Sequence, residues 1–563
     1  MNHTNLDIEA FQYNHIFNLL QDIFGFNEIK DGDFVKDTLK ILLEFEKNGE
    51  TIVEVDKRII LFDLLNDGWP NEHLKVLKDL GLLNSFNSPF VFKNRKLSLA
   101  KWSVKINRVV NIFLKKIDKI PIKINDDNKL HQMKNIFKSS NLLFLQGGPG
   151  TGKTTLIINF ILHSLKSDSC LNIGLAAPTG KATSRLKESL NEQKDIFFSE
   201  SLDQIECQTL HKWIFNSKHK DIKLKFKLKE LDIFIIDEMS MVNIDIIELI
   251  LDLLAKDCKI ILVGDRNQLP PVKNSSIWNY LFEFSDNKVI KSCIVNLNKT
   301  YRNSGDIELL SNLIFNNRNS LFQKKIKELE NDKKSKEVNI LKSTNKNIPP
   351  SLLNVIEDNL NKLRTSTSNL SKKKYIFKNS IGDLMSHEKD LINNIFTDLQ
   401  SHLILCEKNT GIWSVEDIND IVLGQRKPYD FINLEEGIPI MCTENNNELG
   451  ISNGDIGVLI GKNENRKFLF RKFNDNNDLV VEFIEPSTLE NVVPAIAITI
   501  HKSQGSESEK VSILWTQKPQ ITKYKKDLED DSKLIFFRDN YEKRLLYTAV
   551  TRAKNFLDIY FLN

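Results

Sequence analysis

The chain has 563 residues, with 78 Lys and Arg set against 75 Asp and Glu and a formal net charge of +3. That length calls for several domains with large cores, and 41% hydrophobic with 27% charged residues is the composition of a globular protein. The near balance of charge excludes a uniformly basic coat, so any nucleic-acid surface must be local.

Cys170, Cys207, Cys258, Cys293, Cys406 and Cys442 lack metal-ligand spacing and suit reduced, buried thiols. No apolar run approaches the roughly 18–20 residues that cross a bilayer. The polar N-terminus, with its acid at Asp7, is unlike a signal peptide. A cytoplasmic chain with no membrane partner is expected.

Residues 1 to about 120 read as mostly helical. Phe11, Ile16, Phe17, Leu19, Leu20, Ile23 and Phe24 recur at helical spacing, as do Leu39, Ile41, Leu42, Leu43 and Phe45. A strand-like Thr51–Val55 interrupts them. No phosphate loop or DNA-binding motif stands here, so a structural or partner-docking domain is expected. Pro121 and Asn125-Asp126-Asp127-Asn128 mark a boundary. An amphipathic helix follows at 129–137. Its Gln132 carries an amide that donates and accepts at once, as adenine recognition requires, although an ordinary surface glutamine reads the same way.

Leu142-Leu143-Phe144-Leu145 is a buried parallel strand in pattern, and helical character resumes after Lys153. Between them run Gly147, Gly148, Pro149, Gly150, Thr151, Gly152, Lys153, Thr154 and Thr155, the G-x-x-x-x-G-K-T phosphate loop in its strand–loop–helix setting. Backbone amides and the positive helix end converge on phosphate oxygens, the lysine reaches the β- and γ-phosphates, and the threonine hydroxyl ligates Mg²⁺. The stretch predicts binding of a nucleoside triphosphate.

Ile173–Ala177 is a second strand, with polar residues beginning where it ends, at the ligand edge of an open α/β sheet. Residues 222–229 alternate Ile/Leu/Phe with lysine and read as a strand or β-ribbon; a solvated edge and a phosphate-backbone contact are both open readings. Ile233–Ile236 ends in Asp237 and Glu238, placed to hold Mg²⁺ and to polarise water. Lys259–Gly264 ends in Asp265, and Gln268 sits in the proline-rich loop beyond, able to sense a γ-phosphate. Strands alternating with helices predict a doubly wound parallel sheet. The chain turns polar and Lys/Asn/Ser-rich from about 316 to 379, where loose helices and mobile loops are expected. Short strands at 437–442, 454–460 and 479–483 suggest a small β-barrel inserted in a second α/β domain. Arg302 and Arg552 belong to that domain, and such arginines stabilise transition-state charge.

Taken in order, these motifs resemble the superfamily 1B DNA helicases, and within them the RecD family of exodeoxyribonuclease V (RecBCD) α subunits. The likeness is carried by 147–155, Ala177–Ala182, Thr209-Leu210-His211, Asp237–Met241, Gly264–Val272, Thr300-Tyr301-Arg302, Asn453–Gly457, Thr499–Glu507 and Tyr547–Ala553. It implies ATP hydrolysis coupled to 5′→3′ travel on single-stranded DNA, on an α/β fold of two RecA-like P-loop domains with a small SH3-like β-barrel insertion and a mostly helical N-terminal domain. The expected organisation is residues 1–120 for partner docking and 121–285 for the first RecA-like domain, with a small basic β insertion near 214–230. Residues 286–430 begin the second domain and carry a low-complexity insert at 316–379; 431–485 form the barrel and 486–563 the return.

By the same resemblance Gln132 reads adenine, Lys153 and Thr154 hold phosphate and Mg²⁺, Asp237 completes the metal site and Glu238 is the base. Gln268, Arg302 and Arg552 grip the γ-phosphate, and Gln504 couples it to DNA. The strand lies near Pro178, Thr179, Lys181, Arg185, Thr209, His211, Thr499 and His501. The implied partners are single-stranded DNA, duplex DNA ends and the RecB and RecC subunits of a heterotrimer, and no nuclease constellation is seen. One departure stands out: Ser508 takes a place where a bulky apolar residue is expected. The alternatives are a free-standing RecD-like helicase and a P-loop scaffold that is not a motor. Glu238, Arg302 and Arg552 argue against the scaffold.

Overall fold

The computed structural model describes residues 14–26, 31–47, 49–55, 68–85, 87–122, 127–193, 205–218, 226–271, 276–284, 287–299, 305–316, 318–331, 337–372, 386–424, 427, 429–446, 448–473, 479–516 and 540–562. The chain divides into two compact units. One is built chiefly from Met1–Gln146 and Trp213–Asn296, the other from Gly147–Lys212, Leu297–Phe537 and Glu542–Asn563.

The N-terminal part is less helical than its periodicity predicts. Helices at 14–24, Asp33–Lys47, Asn71–Asp79 and Ala100–Lys115 accompany an antiparallel sheet of β1 (Ile52–Glu54), β2 (Phe90–Lys93) and β3 (Lys96–Leu99), ordered β1-β3-β2. β2 and β3 are a hairpin joined by Asn94 and Arg95, at φ 53° and 60°. Two consecutive left-handed residues match the twist of the strands, and the usual glycine signal is missing from this turn. Phe90 and Leu97 join Phe17, Val35, Leu39, Val53 and Leu77 in the core of this part.

The expected boundary at 120 separates residues that pack together. Trp102, Ile106, Val109 and Phe113 form the buried stripe of helix Ala100–Lys115. Phe113 meets Phe144 edge-on at 5.6 Å. On the same helix Arg108 reaches Glu248 and Asp252, each at 2.9 Å, and Lys105 pairs with Asp245.

The P-loop strand β4 (Leu142–Gly147) is buried along its whole length, as four consecutive apolar residues require. Next in the chain come β5 (Ile173–Ala177) and β6 (Ile205–Thr209), which pair in parallel, then β7 (Ile233–Ile236), β8 (Lys259–Gly264) and β9 (Ile294–Leu297). In the first unit the order is β7-β8-β4-β9, with β7–β8 and β8–β4 parallel. The first half of the alternating 222–229 stretch lies outside the described residues, and the described end is a 3₁₀ turn at Leu228–Glu230 with Leu228 buried, not a strand.

The second unit continues with β10 (Val338–Ser343), β11 (His402–Cys406), β12 (Pro439–Cys442), β13 (Ile456–Ile460), β14 (Lys467–Phe473), β15 (Leu479–Ile484), β16 (Val492–Pro494), β17 (Ile498–Thr499), β18 (Ser508–Thr516) and β19 (Ala553–Leu562). An all-parallel sheet runs β10-β19-β18-β11-β17. The insertion is an antiparallel sheet, β15-β14-β13-β12-β16, and reaches one strand past its expected end at 485. Parallel sheets flanked by helices, with an antiparallel insertion, are the α/β class that the sequence predicts.

The 316–379 expectation needs correction. Its described residues hold helix Asn319–Asn331, the edge strand β10 and helix Pro350–Ser371. Leu352, Ile356, Leu360, Leu363 and Leu370 repeat every three to seven residues on one face of the last helix and are buried. Ile356 and Leu360 share a cluster with Ile440 and Phe468 of the insertion. The polar composition marks only the outer face of a structural helix. Ser508 also finds its reason: it is buried at the start of β18, donating through its hydroxyl to Gln400 O at 2.8 Å.

Candidate functional site

The phosphate loop is shaped by its glycines. Gly150 and Gly152 sit at φ 70° and 80°, left-handed conformations that cost a side-chain-bearing residue about 1–2 kcal/mol. Gly147 has no room for a side chain, because a Cβ there would lie 2.5 Å from Thr151 Oγ1. Thr151 Oγ1 donates to Gly148 O at 2.8 Å, tightening the arc. Lys153 Nζ donates to Gly147 O at 2.8 Å and Gly148 O at 2.9 Å. Among the described residues this cation has no carboxylate partner. Helix Lys153–Ser167 starts at Gly152 with no side-chain cap and no acid in its first turn, so its leading amides are left for an external anion. Thr154 is half-buried and Thr155 exposed in that turn. The donor set fits a polyphosphate.

In the first unit Asp237 and Glu238 follow β7. Glu238 is held at φ 51°, ψ 42°, a strained setting for a non-glycine residue. Its amide donates to Asp237 Oδ1 at 2.8 Å, which orients the neighbouring carboxylate. After β8 the loop folds on Asp265: Asn267 N donates to its Oδ1 at 3.0 Å, and Arg266 N donates to Gln146 Oε1 at 3.2 Å. Gln268 is 2% exposed, and its Oε1 has no hydrogen-bond partner among the described residues. An orphaned amide oxygen in a loop of this kind fits a polar ligand or an ordered water. Gln132 lies half-buried on helix Lys129–Ile136, whose Asn128 cap accepts from His131 N.

In the second unit helix Gly180–Asn191 is the organising element. Thr179 is its N-cap, accepting from Ala182 N at 3.2 Å, a local structural task for a residue expected at DNA. Pro178 and Lys181 are half-buried around it. A side chain at Gly180 would clash with Ser452 Oγ, so the turn before β13 lies directly on the helix start. Ser452 N donates to Asp455 Oδ2 at 2.7 Å.

Burial pushes the Lys181 ammonium down to about 8; Asp455 opposes that shift, and Arg185 and Arg552 add to it. Burial likewise raises Asp455 to about 6, with Ser452 and Lys181 pulling it back. Arg185 uses both arms within the protein, donating to Gly505 O at 2.9 Å and pairing with Glu507 at 2.8 Å. Lys554 reaches the other Glu507 oxygen at 3.3 Å.

Arg552 is 3% exposed, its Nε donating to Thr548 O at 3.1 Å and Nη1 to Ser506 O at 2.9 Å. Gln504 is buried two residues before Ser506, and Ser506 Oγ and Thr548 Oγ1 have no hydrogen-bond partner among the described residues. Thr209 caps helix Leu210–Lys218 and Thr499 a short turn, accepting from the amides of Lys212 and Lys502 at 3.3 Å. His211 is exposed, and burial lowers the pKa of His501, keeping it neutral near pH 7. Arg302 lies outside the described residues.

Sequence reading missed Lys427, Tyr429 and Lys502, which line one cleft with Thr499. Cations and an aromatic ring beside a strand end are the materials of a single-strand groove, but no short motif joins residues some seventy positions apart. Five of the six cysteines are buried free thiols as expected, whereas Cys170 is exposed. The described residues contain no His/Cys/Asp/Glu cluster fit for a metal, and no helix long and apolar enough to cross a membrane.

A phosphate loop on a parallel sheet, with acids at two further strand ends, defines the P-loop nucleotide-binding class. The AAA domain family matches residues 132–274. The RecBCD enzyme subunit RecD of Buchnera aphidicola subsp. Schizaphis graminum is 31% identical over 471 residues, covering 75% of this chain and 70% of that protein. RecD of Buchnera aphidicola subsp. Acyrthosiphon pisum is 29% identical over 565 residues, covering 92% and 87%. Among solved structures, Bacteroides Pif1 bound to single-stranded DNA matches 78% of this chain and 92% of its own, at 19% identity and a TM-score of 0.40. The chain belongs to the RecD family.

Proposed function

We propose that this chain is the ATP-dependent 5′→3′ motor subunit of a RecBCD helicase–nuclease, acting in the cytoplasm on double-strand DNA ends in recombinational repair. The observation that carries the reading is Lys153, set among loop carbonyls at the open N-terminus of its helix with no carboxylate partner among the described residues. Relatives along most of the chain, each named as the RecD subunit of the RecBCD enzyme, support extending the reading to coupling with DNA and to RecB and RecC as partners.

In this reading Lys153 binds the β- and γ-phosphates, and Gln132 holds adenine. Thr154 and Asp237 are the residues that would hold Mg²⁺, which when bound neutralises phosphate charge. Glu238 takes a proton from the attacking water, and its amide holds the neighbouring Asp237 carboxylate. Gln268 orients at the γ-phosphate, where Arg302 and Arg552 stabilise developing charge. Gln504 transmits the change to the DNA-facing residues. Pro178, Lys181, His211 and His501 face the strand; Thr179, Thr209 and Thr499 shape its path through their caps, and Arg185 acts through Gly505 and Glu507. Backbone contacts of this kind are sequence-tolerant and salt-sensitive.

The test is to mix the purified chain with RecB and RecC, look for a co-eluting complex, and measure ATP hydrolysis with and without single-stranded DNA. A complex with DNA-stimulated hydrolysis supports the proposal. Stimulated hydrolysis without a complex would mean a free-standing helicase, and no stimulation would mean a nucleotide-binding scaffold.

A further inference from the structure

β8 carries the loop that presents Gln268, and residues from the N-terminal part grip it at both ends. Before the strand, Lys116 Nζ donates to Ala255 O at 2.7 Å, Lys256 O at 2.8 Å and Cys258 O at 3.1 Å. Lys116 is 7% exposed, so its charge serves the backbone that enters β8. The backbone of the same residue accepts from Asn141 N at 2.7 Å, one residue before β4. Arg108 pairs with Glu248 and Asp252 on the helix that follows the Asp237–Glu238 turn.

Past the strand, Gly49 meets the loop itself. It ends helix Asp33–Lys47, its amide donating to Glu46 O at 3.0 Å, in the left-handed conformation usual for a glycine there, φ +74°. A Cβ on Gly49 would lie 2.8 Å from Pro270 Cγ and from Pro271 O, and 2.9 Å from Pro270 Cβ. Ordinary carbon contact would need the prolines to retreat by roughly 0.6 Å or more. Two proline rings cannot absorb that by a rotamer change, so the shift passes along the backbone toward Gln268, two residues upstream.

We infer that Gly49, Arg108 and Lys116 brace the nucleotide-sensing loop, and that Gly49 is a positioning residue for Gln268. The inference rests on the reading of Gln268 as a γ-phosphate contact. It gives the N-terminal part a task in the hydrolytic cycle: a protein that grips these residues gains purchase on the loop that times hydrolysis.

The structure supplies its own control. Gly81, in the same part of the chain, has φ +71° and no described residue within 4 Å of a built Cβ. Gly49→Ala and Gly81→Ala therefore share backbone strain, but only the first pushes the prolines. Asparagine tolerates this backbone better, so Gly49→Asn and Gly81→Asn repeat the comparison with less strain. In the full chain, with ATP and single-stranded DNA, both Gly49 variants should lose about tenfold in kcat, with KM for ATP within twofold of wild type; sub-ångström misplacement of a reacting group has costs of this order. Both Gly81 variants should keep wild-type kcat at a matching thermal midpoint. Equal kcat in the Gly49 and Gly81 variants would overturn the brace. Gln268→Ala separates the layers: if it keeps full activity, the underlying reading fails. If it is inactive while Gly49→Ala turns over normally, only the brace fails.

Discussion

Raising the pH should weaken single-strand binding through one named group. In the free protein burial holds the Lys181 ammonium down to about 8, although Asp455 draws it up. The sign follows from that shift: Lys181 is charged below pH 8 and loses its charge as pH rises through it. A bound phosphate favours the charged form and returns the group toward the ordinary lysine value, so binding takes up a proton between the two values. With a free value near 8 and a bound value near 10.5, affinity falls roughly twentyfold between pH 7.5 and 9.5. Asp455, raised to about 6, stays ionised across that window and adds no slope. His501, whose pKa is lowered by burial, stays neutral there. The assay is fluorescence anisotropy of a labelled oligothymidylate at fixed ionic strength without nucleotide. Lys181→Arg keeps its charge throughout and should flatten the profile. A flat wild-type profile, or an equally steep one in Lys181→Arg, would refute the assignment of Lys181 to the DNA path.

Lys116→Met should destabilise the first unit by about 3 kcal/mol, because three backbone carbonyls lose a charged donor at a buried position; a urea midpoint unchanged from wild type would contradict it. Arg185→Ala should quicken amide exchange at Ser503–Glu507 and cost about 1 kcal/mol at most, since its side chain is 38% exposed and the pair with Glu507 is partly screened. Single-strand affinity should change less than twofold in that variant. A drop of about 0.7 in salt slope would make Arg185 a phosphate contact instead of a tie.

The nucleotide-binding elements were legible because their signals are local. A run of apolar residues, two glycines with positive φ and a lysine occupy fourteen consecutive positions, and neither strand nor helix depends on distant partners to be recognised. Asp237 and Glu238 were legible for the same reason, at the end of four buried apolar residues. What failed was composition used as a stand-in for structure. Pro350–Ser371 is polar on its outer face, and its buried leucines are spread thinly enough that Asn and Ser dominate any average. The β2–β3 hairpin was missed because Asn94-Arg95 turns without glycine. The pairing of Arg185 with Glu507 had no sequence signal, since the two stand more than three hundred residues apart. The contact of Gly49 with Pro270 has no sequence signal of any kind, since a glycine after a helix is already explained by its cap.

The most direct measurement is unwinding by the purified chain of duplexes carrying a 5′ or a 3′ single-stranded tail, with ATP hydrolysis followed in the same reactions. The account predicts DNA-stimulated hydrolysis and unwinding from the 5′ tail only, both abolished by Lys153→Gln with the fold intact. Turnover at the wild-type rate in Lys153→Gln, or unwinding from the 3′ tail alone, would contradict it.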